Sequence, residues 1–291
     1  MNFAAALRCE LVKSAKKYAE AEGLPYCLSY GDGSSLCFTP YQRNLRHGNA
    51  LPESYKAILT TPVWCKRLTK VHTLGRRSLP ATERGRWMEL DSCTSSDALL
   101  MNMFCHSGTL RDGRTHALLG AEPGAPPCLQ PIFGYKARVP LSNGRFDRTE
   151  VDLRIGNLLV EAKLTEGNFQ SAEKRNLAAY RDFSEVFDWE ELPQVRDRYL
   201  SSQLLRNVLA AYALHCSFCV VVDSRRPDLI DAWYAVMKCV KAVHLRPELR
   251  IATWQELARA SPPKLRTFLA AKYGIGKEAG RSASTGGLDG R

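Results

Sequence analysis

Two alternating runs, Arg148–Ile155 and Asn157–Lys163, meet at the turn Gly156-Asn157, and no other stretch is so restricted in how it can fold. Successive side chains of a strand point to opposite faces. The first run therefore sets Glu150, Asp152 and Arg154 against Val151, Leu153 and Ile155, and the second sets Glu161 and Lys163 against Val160, Ala162 and Leu164. So short a turn makes the runs an antiparallel hairpin whose polar faces meet. Two carboxylates and an ammonium brought together resist water-free burial unless something binds between them. A divalent cation is the natural occupant, and a phosphodiester the natural target. The plainer alternative is an exposed strand pair with cross-strand ion pairs such as Asp152 to Lys163.

Helices and strands are predicted to follow one another around this hairpin. Thr94-Ser-Ser-Asp97 reads as a helix start, and Ala98–Cys105 continues it as a run apolar on every side, hence buried. Pro123 to Pro131 breaks the chain, and Ile132–Tyr135 is a first strand. Phe169–Tyr180 is predicted helical and Asp182–Asp197 an acidic loop. Tyr199–Leu214 is a strong helix with Leu204, Leu205, Val208 and Leu209 on one stripe. Phe218–Asp223 is a buried strand, Asp228–Val243 a helix introduced by Pro227, and Leu249–Thr253 a short strand. Trp254–Ala260 and Pro263–Tyr273 are the last helices. Upstream lie an amphipathic helix to about Ala19, short helices at Glu53–Leu59 and Val63–Lys70, and a connecting loop from Arg76 to Arg86. The chain thus divides into an N-terminal extension (1–85), a core domain (86–273) and a tail (274–291) rich in Gly and Ser, expected to be disordered.

The formal net charge of +11 is unevenly spread. Between Arg43 and Arg86 ten basic residues face two acidic ones, a net +8, with Tyr41, Tyr55, Trp64 and Trp87 interleaved. That mixture suits a surface following a phosphate backbone and stacking on bases, so nucleic acid is the expected partner; the plain reading is a solvated basic face. No run of about 18 uncharged apolar residues exists, so no membrane span is expected. The first charges, Arg8 and Glu10, come too early for a signal peptide, and a cytoplasmic location is expected. In that setting the ten cysteines read as buried thiols. Cys216-Ser-Phe-Cys219 has no second CxxC or nearby His pair to complete a zinc site.

The order Asp152, then Glu161-Ala162-Lys163 nine residues on, resembles the core motif of the PD-(D/E)XK nuclease superfamily. The element order from Trp87 to Tyr273 also resembles that superfamily's core. The likeness extends to a group of bacterial restriction-endonuclease-like proteins through Ser95-Ser96-Asp97-Ala98-Leu99 and Gln203-Leu204-Leu205-Arg206-Asn207. The resemblance implies an α/β, restriction-endonuclease-like core: a mixed central sheet flanked by helices, plus a helical and loop-rich N-terminal extension. It implies Mg²⁺ (or Mn²⁺) held by Asp152, Glu161 and the Ala162 carbonyl, with Lys163 orienting or activating the attacking water. Gln203 resembles the glutamine placed beside such active sites, and Arg206 is a phosphate contact; both are also ordinary polar positions on an amphipathic helix. Glu150 is a further ligand or an exposed charge. An additional acid is expected from Glu89, Asp91 or Asp97, and Asp97 serves equally as a helix cap. Arg76, Arg77, Arg84 and Arg86 are the expected nucleic-acid contacts. The implied reaction is hydrolysis of phosphodiester bonds, with DNA the expected substrate in restriction, defence or repair. The competing reading is a catalytically silent nucleic-acid-binding protein of the same fold. A homodimer stays open.

Overall fold

The computed structural model describes residues 2–29, 35–41, 46–71, 73–74, 77–78, 87–121 and 130–276. At its centre, Gly156 takes a positive φ of 53° and turns β2 (Glu150–Ile155) back on β3 (Leu158–Ala162) in the expected hairpin. β1 (Ile132–Lys136) pairs antiparallel with the other side of β2, while β4 (Ser217–Val222) and β5 (Leu249–Thr253) extend the sheet parallel to β3. The result is a five-strand mixed sheet in the order β5-β4-β3-β2-β1.

Among the described residues, the helices that cover it include α1 (Phe3–Ala21), α2 (Ser96–Phe104), α3 (Ser202–Leu214), α4 (Pro227–Met237), α5 (Trp254–Ala260) and α6 (Pro263–Tyr273). Parallel neighbours need a crossover; α3 supplies it between β3 and β4, and α4 between β4 and β5. Both therefore fall on one face, where Leu204, Leu205 and Trp233 pack on Leu159, Phe218, Val220 and Val222. The other face carries Leu153, Ile155, Val160, Cys219 and Val221 beneath α2, α5 and α6, and Leu7 and Leu11 of α1 join the same cluster. Tyr18 of α1 meets Phe268 of α6 edge-on, with centroids 5.7 Å apart. α2 is buried on all sides, as its composition predicts.

Four segments differ from the sequence reading. Only Lys174–Ala178 of the helix expected at Phe169–Tyr180 is helical, because Ser171–Glu173 pairs as a strand with Arg198–Leu200. That pairing also claims the start of the helix predicted from Tyr199; Ser201 turns the chain at φ 56° and α3 begins at Ser202. The acidic stretch Asp182–Asp197 hides a helical turn, Phe183–Val186, whose Phe183 and Val186 enter the core. α4 stops at Met237 rather than Val243, because Cys239 and Lys241 exchange backbone hydrogen bonds with Asp188 and Val186.

In the N-terminal extension, Trp64 packs on Phe133 and donates Nε1–H to the Pro131 carbonyl (2.7 Å), and Tyr55 lies against His47. These two aromatics are therefore packing residues rather than free base-stacking platforms. Arg76, Arg84, Arg86 and the side chain of Arg77 lie outside the described residues. Next to Trp64, Arg67 crosses over Gly134 of β1. Gly134 has φ 66°, and a Cβ there would sit 2.4 Å from Arg67 Nη1 and 3.0 Å from Glu150 Oε2. The β1–β2 register places this glycine across from Asp152. Gly134→Ala is expected to lose about 1–3 kcal/mol through left-handed strain alone; an unchanged denaturation midpoint would show that Gly134 does not hold this left-handed conformation.

Candidate active site

Extending the β2–β3 register sets Asp152 opposite Glu161, on the face that α3 covers. Glu161 is 2% exposed and Lys163 6%, so their charges depend on one another. Lys163 Nζ donates to Glu161 Oε1 at 2.6 Å, and Asn207 Nδ2 of α3 donates to Glu161 Oε2 at 2.7 Å. Both oxygens of the buried carboxylate are thus matched. Among the described residues, Asp152 Oδ2 accepts only the Ala162 N–H, at 2.9 Å. Burial, and then the Glu161 charge, push the Asp152 carboxyl well above the usual carboxylate range. Lys163 also rises, here against its own burial: Glu161 and Asp152 hold it above the ordinary lysine range, a cation at neutral pH. Two acids and one ammonium thus share a low-dielectric pocket in which the ammonium is paired with only one of the acids.

The backbone under Lys163 is fixed from three sides. Its N–H reaches the Val221 carbonyl of β4 at 2.9 Å, and its carbonyl accepts Trp254 Nε1–H at 3.0 Å. The fully buried Arg226 clamps the following turn by donating to the carbonyls of Leu164, Glu166 and Gly167. Phe169 lies under the Lys163 ammonium, 5.8 Å from Nζ to the ring centroid, and its carbonyl accepts the Gln203 N–H. Gln203 stands one turn before Asn207 on the same side of α3, and its Oε1 is buried without a partner. Arg206 reaches Thr149 Oγ1 at 3.4 Å, and its Nε is likewise unpartnered.

The three candidate acids separate. Asp91 is bound to His47 at 2.9 Å, in a pair of its own. Asp97 is not the helix cap; Ser95 fills that role. Instead Asp97 Oδ2 is held by Arg67 at 2.7 Å and Lys70 at 2.5 Å. Burial opposes its ionisation, but Lys70 and Arg67 keep the carboxyl below the usual range. Its charge also acts on Asp152. Glu89 is pushed up to about 7, chiefly by burial. Glu150 is nearly half exposed and only 3.5 Å from Arg67, an outer charge beside the pocket. Two cations of the basic stretch Arg43–Arg86, Arg67 and Lys70, are thus engaged within the protein.

Four residues at this site escaped the sequence reading in these roles: Asn207, Arg67, Lys70 and Arg226. Asn207 was legible in principle, since i+4 spacing from Gln203 puts it on the inward face. Glu166 ties the hairpin to α2 by accepting from Ser96 Oγ (2.5 Å) and the Leu164 N–H (2.7 Å).

The pocket's possible metal ligands are all oxygens, and one carboxyl is driven toward protonation by burial and then by its neighbour's charge, a strain that a divalent cation would relieve. Among the described residues no three His, Cys, Asp or Glu side chains group as metal ligands. Mg²⁺ commonly takes one or two carboxylates and keeps several waters, so the Asp152–Glu161 pair fits it.

A mixed five-strand sheet flanked by helices, with two acids and a lysine across its central hairpin, is a restriction-endonuclease-like fold. The chain belongs to the family described as Restriction Endonuclease associating with ARP, whose family model matches residues 13–274. No curated protein and no solved structure matches the chain. No helix among the described residues is long and apolar enough to cross a membrane.

Because the folded-state pKa of Asp152 lies above its unfolded value, the native metal-free protein loses stability as pH rises from the ordinary carboxylate range through that raised value. Asp152→Asn removes this cost. In EDTA the variant is expected to exceed wild type at pH 8 by more than about 1 kcal/mol, with the gap closing below about pH 4. Equal pH profiles in thermal melts would show that Asp152 is not a buried, poorly neutralised acid.

Proposed function

We propose that the protein is a Mg²⁺- or Mn²⁺-dependent nuclease of the PD-(D/E)XK type that hydrolyses phosphodiester bonds, with DNA as substrate. The family's description supports the nuclease class and a nucleic-acid partner. The observation that carries the finer reading is the unevenly neutralised Asp152–Glu161 pair beside a cationic Lys163. By the family's description we extend to this chain an association with ARP.

In this reading Asp152, Glu161 and the Ala162 carbonyl hold the cation, and Glu150 stands at the mouth of the pocket. When bound, the metal supplies positive charge against the developing phosphoryl negative charge and makes a nearby water more acidic. Asn207 keeps one Glu161 oxygen turned into the pocket. Lys163, held as a cation, stabilises charge and positions the attacking water rather than removing its proton. Gln203, one turn before Asn207, carries a side-chain oxygen without a partner among the described residues, available to orient the water or the phosphate. Arg226 contributes indirectly, by fixing the turn that follows Lys163.

Plasmid and single-stranded DNA incubated with the protein are expected to be cut with Mg²⁺ and left intact with EDTA. Asp152→Ala and Lys163→Ala should each lower the rate at least roughly a hundredfold. Cleavage that persists in both variants would rule out this site. Binding without any cleavage would favour a silent nucleic-acid-binding protein.

A further inference from the structure

A second hairpin, Val139–Pro140 against Phe146–Asp147, leaves the sheet between β1 and β2. It ends three residues before Glu150, on the side of the sheet where Asp152 lies. Its inner side is pinned to the protein. Val139 is buried, and Asp147, directly opposite it, accepts from Tyr180 Oη at 2.6 Å and from Thr149 Oγ1 at 2.7 Å. Alternation then turns Arg138, Phe146 and Arg148 to the outer side. Phe146 is 45% exposed, and the Arg138 guanidinium lies 4.9 Å over its ring. Arg138 holds this place with φ 54°, an unfavourable conformation for a non-glycine residue. Lys136, Arg138, Arg145 and Arg148 are all exposed and form no ion pair among the described residues. Asp147 is the only acid among residues 136–148. At the foot of the hairpin, Arg206 reaches Thr149, and the next residue is the Asn207 that holds Glu161.

We infer that the outer side of this hairpin is a nucleic-acid docking surface. Arg138 and Arg148 on that side, with the exposed Arg145 of the turn beside them, contact phosphates, and the Phe146–Arg138 pair stacks on an unstacked base, leading one strand past Arg206 into the pocket. Free arginines beside an exposed aromatic are the chemistry of single-strand contact. The inference rests on the nuclease reading, since it needs a nucleic acid at the Asp152–Glu161 site.

The test is fluorescence anisotropy in EDTA, with labelled oligo-dT and a duplex of equal length titrated over a series of salt concentrations. The triple variant Arg138→Gln, Arg145→Gln, Arg148→Gln is expected to weaken binding to both probes. It should also flatten the dependence of log affinity on log salt by about 2 for oligo-dT. Phe146→Leu, which keeps the apolar bulk, should weaken oligo-dT roughly tenfold and leave the duplex nearly unchanged. Thermal melts matching wild type confirm that both variants fold. Wild-type affinity and salt slope in both variants would overturn the hairpin assignment, while the cleavage test of Asp152 and Lys163 would stand. No binding by the wild-type protein to either probe would overturn the hairpin and the nuclease reading together.

Discussion

The interaction on which the site depends is the buried Glu161–Lys163 pair, with Asp152 facing it across one hairpin turn. Charges buried so deeply are tolerable only when matched. Glu161 meets this condition with two donors, Lys163 and Asn207. Asp152 does not, and that asymmetry is the strain the proposed cation would relieve. The surrounding architecture serves the same end: β4 and Trp254 hold the Lys163 backbone, α3 delivers Asn207, and Arg226 closes the turn beyond.

The N-terminal extension reaches this pocket with two cations on one acid. Arg67 and Lys70 converge on Asp97, and Arg67 passes over Gly134 to come within 3.5 Å of Glu150. Breaking one partner of a buried group of this kind leaves the others uncompensated. The packing of residues 62–70 on β1 and the electrostatics at Asp152 are therefore coupled. A change in one is felt by the other through Asp97, whose charge acts directly on Asp152.

The hairpin and most of the sheet were readable because period-2 alternation and a Gly-Asn turn leave a chain few choices. The all-apolar run at Ala98–Cys105 was readable as buried for a similar reason. Where the reading failed, distant pairing overrode local preference. Ser171–Glu173 and Arg198–Leu200 became strands because they found each other, shortening helices on both sides. Phe183 and Val186 entered the core although their neighbours are acidic. At the site, Asp152, Glu161 and Lys163 were legible as a linear motif. The Asp97–Arg67–Lys70 cluster was not, since charge pairs between segments 27 to 30 residues apart leave no periodic trace. A dense basic stretch reads as a nucleic-acid surface, yet two of its cations serve an internal acid.

The most direct measurement is divalent-ion binding itself, followed by calorimetric titration of Mn²⁺ into metal-free protein without nucleic acid. Wild type is expected to bind at the Asp152–Glu161 pair, and Asp152→Asn or Glu161→Gln to abolish that binding while the fold is retained. Unchanged Mn²⁺ binding in both folded variants would contradict the assignment of the metal to this hairpin.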